Sequence, residues 1–405
     1  MKRVVVTGMG IWSSIGQDLN TVTESLKKGR SGIIYDEERV KRGLHTGLIG
    51  NVPVPDLKPL LPRKYRATMS IDAQYAYAAA YQAFEQAGIS IPYLDENEVG
   101  IIFGTDGNTE GVEAVDLIRR EKDTWMLSPG TFFKVATSTV SMNLATIYHL
   151  RGINLCVSAG CASASHAIGV AATLIRSGMQ SMILTGGASE LSVYGEAPFD
   201  TLGSLSYKND SPASASRPFD KDCDGGVLSG GAAALLLEDY DHAVARGANI
   251  LAEVLGYGFA GNAQGEIYQP SSDTICRAIF RALDDAQTTM DNIDYINSCA
   301  SSSIFDDVAE AQALSKACGA RNIYISSTES MTGHEGWMGG ASEAIYSILM
   351  MRNNFIAPNI NLENVMEEAK NLNIVRNTIE TPVNMVLSTS SGLGGTFSAL
   401  ILRKI

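Results

Sequence analysis

Apolar positions in this chain come in two patterns. Short unbroken apolar runs read as buried strands: RVVVTG at 3–8, VGIIFG at 99–104, SMILTGGASEL at 181–191, ILAEVLGYG at 250–258, DYINS at 294–298 and NIYISST at 322–328. Segments with helical period lie between them: Leu19–Lys28, 68–88 with Gly88 as its C-cap, 130–150, 271–287, 308–319 and 339–353. NMVLSTSSGLGG at 384–395 closes the pattern as a last strand and glycine turn. The first strand is expected to stop at a Gly-x-Gly turn, Gly8-Met9-Gly10. Residues 31–66 are loop-rich, with Pro53, Pro55, Pro59 and Pro62. Residues 200–231 are rich in Ser, Asp, Gly and Pro, and there a charged turn runs into the apolar strand GGAAALLLED. Strands alternating with helices predict a layered α/β protein with parallel-type strands. It divides into two closely packed halves of one design, 1–249 and 250–405.

One stretch concentrates chemistry. NLCVSAGCASASHAIGVAATLIRSG, residues 154–178, reads as strand, tight turn and helix with a thiol at the join. Cys161 falls at the helix N-terminus, where free N–H groups and the helix dipole favour a thiolate. Ala159, Gly160, Ala162 and Ser163 are small enough for a carbonyl to approach the sulfur, and the first helical N–H groups offer an oxyanion site.

Composition narrows the classes. The 405 residues are 45% hydrophobic and 19% charged, enough for a large core and a surface partly covered by another chain. A net charge of −13 disfavours nucleic acid and anionic membranes as partners. Six cysteines without CxxC spacing fit a reducing, cytoplasmic setting and neither a disulfide framework nor a zinc site. No apolar run reaches the ~18 residues of a membrane span, and no metal ligand set is visible. In this acidic chain, Arg63, Lys64 and Arg66 form a basic cluster suited to an acidic partner.

VVVTGMG, SAGCASASHAIG, RPFDKDCDG, YINSCASSS, STESMTGH and SSGLGGT arrive in one order over essentially the whole chain. That order resembles the β-ketoacyl-ACP synthases, types I and II, of the condensing-enzyme (thiolase) family. The resemblance implies a thiolase-like five-layered αβαβα fold made of two duplicated halves, the first with the nucleophile and dimer interface. It implies a homodimer, with a heterodimer as the alternative. It also implies that Cys161 takes an acyl chain from the phosphopantetheine arm of acyl carrier protein. A malonyl-ACP-type extender then loses CO2 and attacks the thioester, in fatty acid or polyketide-like biosynthesis. No bound cofactor is implied beyond the carrier's arm. By position, His334 matches the family's second histidine. Leu393 stands where a gating Phe completes the oxyanion hole through its backbone N–H. Arg63, Lys64 and Arg66 match a carrier-docking stretch.

The departures carry as much information. Cys299 stands at the first family histidine, and a neutral thiol is a poor donor beside an imidazole N–H. Glu329 stands at the family lysine, while the carboxylates that pair with that lysine remain as Glu310 and Glu343. A carboxyl pair sharing a proton, Glu329–Glu343 or Glu329–Glu310, is therefore expected. Cys223 and Gly226 replace the Arg and Phe of an Arg-Asp-Gly-Phe run, and Trp337 replaces a small residue after His334. The expectation is a divergent 3-oxoacyl-[acyl-carrier-protein] synthase, an acyltransferase with reduced or altered decarboxylation. The alternative is a non-elongating, chain-length-factor-like partner of an active ketosynthase. A thiolase acting on CoA esters fits the motif set less well.

Overall fold

The computed structural model describes residues 2–262 and 270–405. Its first sheet contains β1 (Val4–Trp12), β2 (Gly100–Gly104), β3 (Asn154–Val157), β4 (Met182–Ser189) and β5 (Gly231–Asp239). Its second contains β6 (Ala252–Gly261), β7 (Tyr295–Asn297), β8 (Tyr324–Ser326), β9 (Met385–Gly392) and β10 (Thr396–Arg403). The orders are β3-β2-β4-β5-β1 and β8-β7-β9-β10-β6, the second extended beyond β8 by the two-residue parallel edge strand Asn373–Ile374. Each is third-second-fourth-fifth-first in its own half, so the halves are duplicates in topology. β1 and β6 join the sheets through Val5–Glu253 and Val6–Ala252.

Five helices complete the layers: α1 (Ile71–Ala87), α2 (Ser163–Arg176), α3 (Ser272–Asp285), α4 (Ile304–Cys318) and α5 (Gly339–Asn353). α1 covers the outer face of the first sheet; α3, with α4 against it, covers that of the second. α2 and α5 pack on each other and on strands of both sheets. The result is the five-layered αβαβα arrangement. Ile183 and Leu400 point into the central cluster with Ile168, Ile175, Ile345 and Ile348. Their neighbours Leu184 and Ile401 point into the two outer clusters. Both faces of each sheet are thus buried, which is why the strands read as unbroken apolar runs. Each fully buried aliphatic side chain contributes about 1.5–3 kcal/mol.

Several expectations change. Gly8 and Gly10 do not form a turn; β1 continues through them to Trp12. A Cβ on Gly8 would lie 2.2 Å from Ala83 O, and one on Gly10 2.0 Å from Ala79 O. The glycines let α1 lie directly on the strand. Only the strands nearest each sheet's outer edge run parallel: β2 with β3 and β4, and β7 with β8 and β9. β5 is antiparallel to β4 and β1, and β10 to β9 and β6. The 130–150 helix is two pieces, Thr131–Lys134 and Thr139–Tyr148. The glycine turn at 392–395 leads into β10, which packs back on β9.

Candidate active site

The duplication brings two equivalent turns together. The turn between β3 and α2 carries Cys161; the segment between β8 and α5 carries Glu329 and His334. α2 and α5 cross closely at Gly340, where a Cβ would meet Ser165 Cβ at 2.5 Å. Gly160 adopts φ 57° to make the nucleophile turn. Ser163 Oγ locks that turn, accepting from Ala159 N–H at 2.9 Å and donating to Gly160 O at 2.6 Å. Gly160 N–H donates to Asp106 at 3.0 Å, and Ser158 Oγ donates to the same carboxylate. Asp106 was legible only as part of a TDGN turn, since its partners lie 52 and 54 residues on.

His334 is held as a β-bridge to Leu228, donating its N–H to Val227 O at 2.7 Å and accepting from Ser229 N–H at 2.8 Å. Its Nε2 lies 2.9 Å from Cys161 Sγ. Its Nδ1 lies 2.9 and 3.1 Å from the two oxygens of Glu329. A thiol, an imidazole and a carboxylate therefore stand in one hydrogen-bonded line. Burial opposes the imidazolium, but the Glu329 carboxylate and the Cys161 sulfur outweigh it and hold His334 well above its ordinary range. Burial pushes Glu329 up, and His334 draws it back.

The expected carboxyl pair is corrected here. Glu329 is buried, and His334 is its partner instead of Glu310 or Glu343. Glu310 is occupied elsewhere: Oε1 accepts from Thr389 Oγ1 at 2.6 Å and Ser298 Oγ at 3.1 Å, and Oε2 faces Cys299 Sγ at 3.8 Å. Burial, then Glu310, Glu343 and Glu329, push the Cys299 thiol well up, so it stays neutral with its proton toward Glu310. Burial and the nearby Glu329 push Glu343 up too. Among the described residues, the only salt bridge to these carboxylates is that of His334.

Glu335 extends this buried acidic group. It accepts from Ser342 Oγ at 2.5 Å and Tyr346 Oη at 2.9 Å, yet burial pushes its carboxyl up from 4.5 to about 8. A carboxyl raised by folding stabilises the protein fully at acid pH and loses that contribution as pH climbs toward the folded value. The urea midpoint is therefore expected to fall between pH 4.5 and about 8. Glu335→Gln, which keeps the neutral shape, should flatten that decline. Each unit of displacement corresponds to about 1.4 kcal/mol.

Two cavities meet at Cys161 and His334. One, of about 480 Å³, is also lined by Cys299, Gly226, Phe305 and Leu393. The other, of about 190 Å³, is lined by Asn108, Phe199, Leu228 and Trp337. Bulk is absent at Gly226 in the first and present at Trp337 in the second. Leu393 lines the larger cavity and is 47% exposed. A Cβ on Gly160 would touch Leu393 N at 3.0 Å, so the Gly392–Gly395 turn abuts the nucleophile turn. Arg63, Lys64 and Arg66 lie apart on a short surface helix, Arg63–Arg66. Arg66 Nε donates to Leu61 O, and Lys64 stacks on Tyr65.

A duplicated α/β fold with a thiol facing an imidazole at the seam of its halves is the architecture of a condensing enzyme. This chain belongs to the β-ketoacyl synthase family, a family of acyltransferases. The family models "Beta-ketoacyl synthase, N-terminal domain" and "Beta-ketoacyl synthase, C-terminal domain" match residues 1–243 and 251–363. The chain is 38% identical over 409 residues, all of both chains, to 3-oxoacyl-[acyl-carrier-protein] synthase 1 of Escherichia coli K12. It is 38% identical over 408 residues to the protein of that name from Haemophilus influenzae, covering 100% of this chain and 99% of the relative. A β-ketoacyl synthase structure from Burkholderia phymatum superposes with TM-score 0.95 at 34% identity, covering 100% of both chains. The ishigamide ketosynthase/chain length factor superposes with TM-score 0.93 at 30% identity, covering 100% of this chain and 99% of that one. Among the described residues, no helix is long and apolar enough to cross a membrane.

Proposed function

We propose that this protein is a 3-oxoacyl-[acyl-carrier-protein] synthase with an altered donor set. Cys161 takes an acyl group from the phosphopantetheine arm of acyl carrier protein, and a malonyl-type extender attacks it slowly. The 2.9 Å approach of His334 Nε2 to Cys161 Sγ carries this reading. As the sulfur attacks, His334 delivers a proton to the departing carrier thiol. The Cys161 and Leu393 backbone N–H groups serve as oxyanion donors. The 480 Å³ cavity admits the arm, and the 190 Å³ cavity receives the chain. The exposed cations Arg63 and Lys64, with Arg66, form the docking site for the acidic carrier. Residues 1–249 and 250–405 act as two half-domains, each supplying one turn of the site.

A second copy, or a sister ketosynthase, covers the edge of the first sheet. β3 is its terminal strand, with Leu155 45% exposed. A non-elongating role is favoured by Cys299, which removes one donor, and disfavoured by the intact thiol–imidazole contact.

Incubation with acyl-ACP followed by intact-mass analysis is expected to show one acyl adduct per chain, mapping to the peptide bearing Cys161. Absence of both an adduct and released acid from folded protein overturns the reading and leaves the partner role.

A further inference from the structure

We propose that the Cys161–His334–Glu329 line makes this centre an acyl-carrier thioester hydrolase, releasing the chain from Cys161 to water. This rests on Cys161 being acylated as described above. The distinguishing feature is the carboxylate. An ionised carboxylate only accepts, so Glu329 fixes the Nδ1 hydrogen of His334 and points Nε2 at the sulfur. When His334 is neutral, Nε2 is therefore a lone pair, the form required of a base. Cys299, in the larger cavity's lining, is a neutral thiol whose proton faces Glu310.

The steps balance without a further reactant. Cys161 sulfur attacks the thioester carbonyl, the bond to the carrier sulfur breaks, and the His334 proton leaves with the carrier thiol. His334 is then neutral beside an acylated sulfur. Water in the space vacated by the arm gives a proton to Nε2, and its oxygen attacks the carbonyl. The bond to Cys161 breaks, a carboxylic acid leaves, and the thiolate and imidazolium are restored. Two cavities meeting at the sulfur permit this order: the smaller keeps the chain while the larger admits water.

The pH dependence follows from the groups around His334. Glu329 lies on its own segment, Glu335 beside it, Cys161 before α2, Asp306 on α4 and Glu343 on α5. Once Cys161 is acylated, Glu329 is the hydrogen-bonded carboxylate holding the imidazolium up. Release is thus expected to rise with pH as His334 loses its proton. Glu329→Gln should lower the maximal rate and move the inflection down by about 1–3 pH units, the range for one close opposite charge. A merely structural role for Glu329 would lower the rate without moving the inflection.

The test uses the whole protein, acyl-ACP and heavy-oxygen water, with no extender. The expected result is many equivalents of free acid per chain, with the heavy oxygen in its carboxylate, and matching free carrier thiol. A stable adduct with no released acid overturns the hydrolase and leaves the acyl-transfer reading standing. An inflection unmoved in Glu329→Gln also overturns it. No adduct and no acid overturns both.

Discussion

Cys299→His is expected to raise malonyl-ACP decarboxylation by about 10²–10³-fold, the usual weight of one preorganised oxyanion donor. The site can hold the ring. Cys299 lines the 480 Å³ cavity, and its backbone N–H is already fixed by Thr389 Oγ1 at 3.3 Å. Glu310, 3.8 Å from the sulfur, would take one ring nitrogen and leave the other facing the reacting carbonyl. CO2 release, with acetyl-ACP followed by mass, measures the gain. Cys299→Ala should stay at the wild-type rate, because the neutral thiol supplies little to lose. If Cys299→His folds without a gain, the obstacle is Glu329 or the reshaped pocket. A gain on adding Glu329→Lys, which returns a cation among Glu310 and Glu343, would assign it to Glu329; no gain would assign it to the pocket.

His334→Ala is expected to slow loading of Cys161 from acyl-ACP by about 10²–10⁴-fold, the range for a positioned acid–base group. Its Nε2 stands 2.9 Å from the sulfur. Glu329→Gln should cost less, because the imidazole stays. The two losses should not add: without His334, Glu329 has no route to the sulfur. Rates of adduct formation for both single variants and the double variant, read by intact mass, form the cycle. Additive losses would place Glu329 outside the line.

The fold was legible because both faces of each sheet are buried. That burial writes the strands as apolar runs separated by helical periods, and the ordered motifs tied them to one family. Local sequence failed where distant backbone decides. Gly8 and Gly10 look like a turn until α1 is laid on them. Thr396–Arg403 is a strand because β9 and β6 flank it.

The candidate site divides along the same line. Residue types and motif order offered Cys161 as the candidate nucleophile, His334 as the match to the family's second histidine, and the exchanges at Cys299 and Glu329. They also determined that Glu329 would sit among carboxylates. Only the tertiary structure decided which partner it chose. Glu329 and His334 are separated by a Gly-broken turn with no periodicity to report which way either side chain points. Their alignment on Cys161, 173 residues away, exists because two duplicated turns meet where α2 and α5 cross. Hydrogen bonding at 2.9 Å is a matter of side-chain direction, which a linear pattern of residue types does not encode.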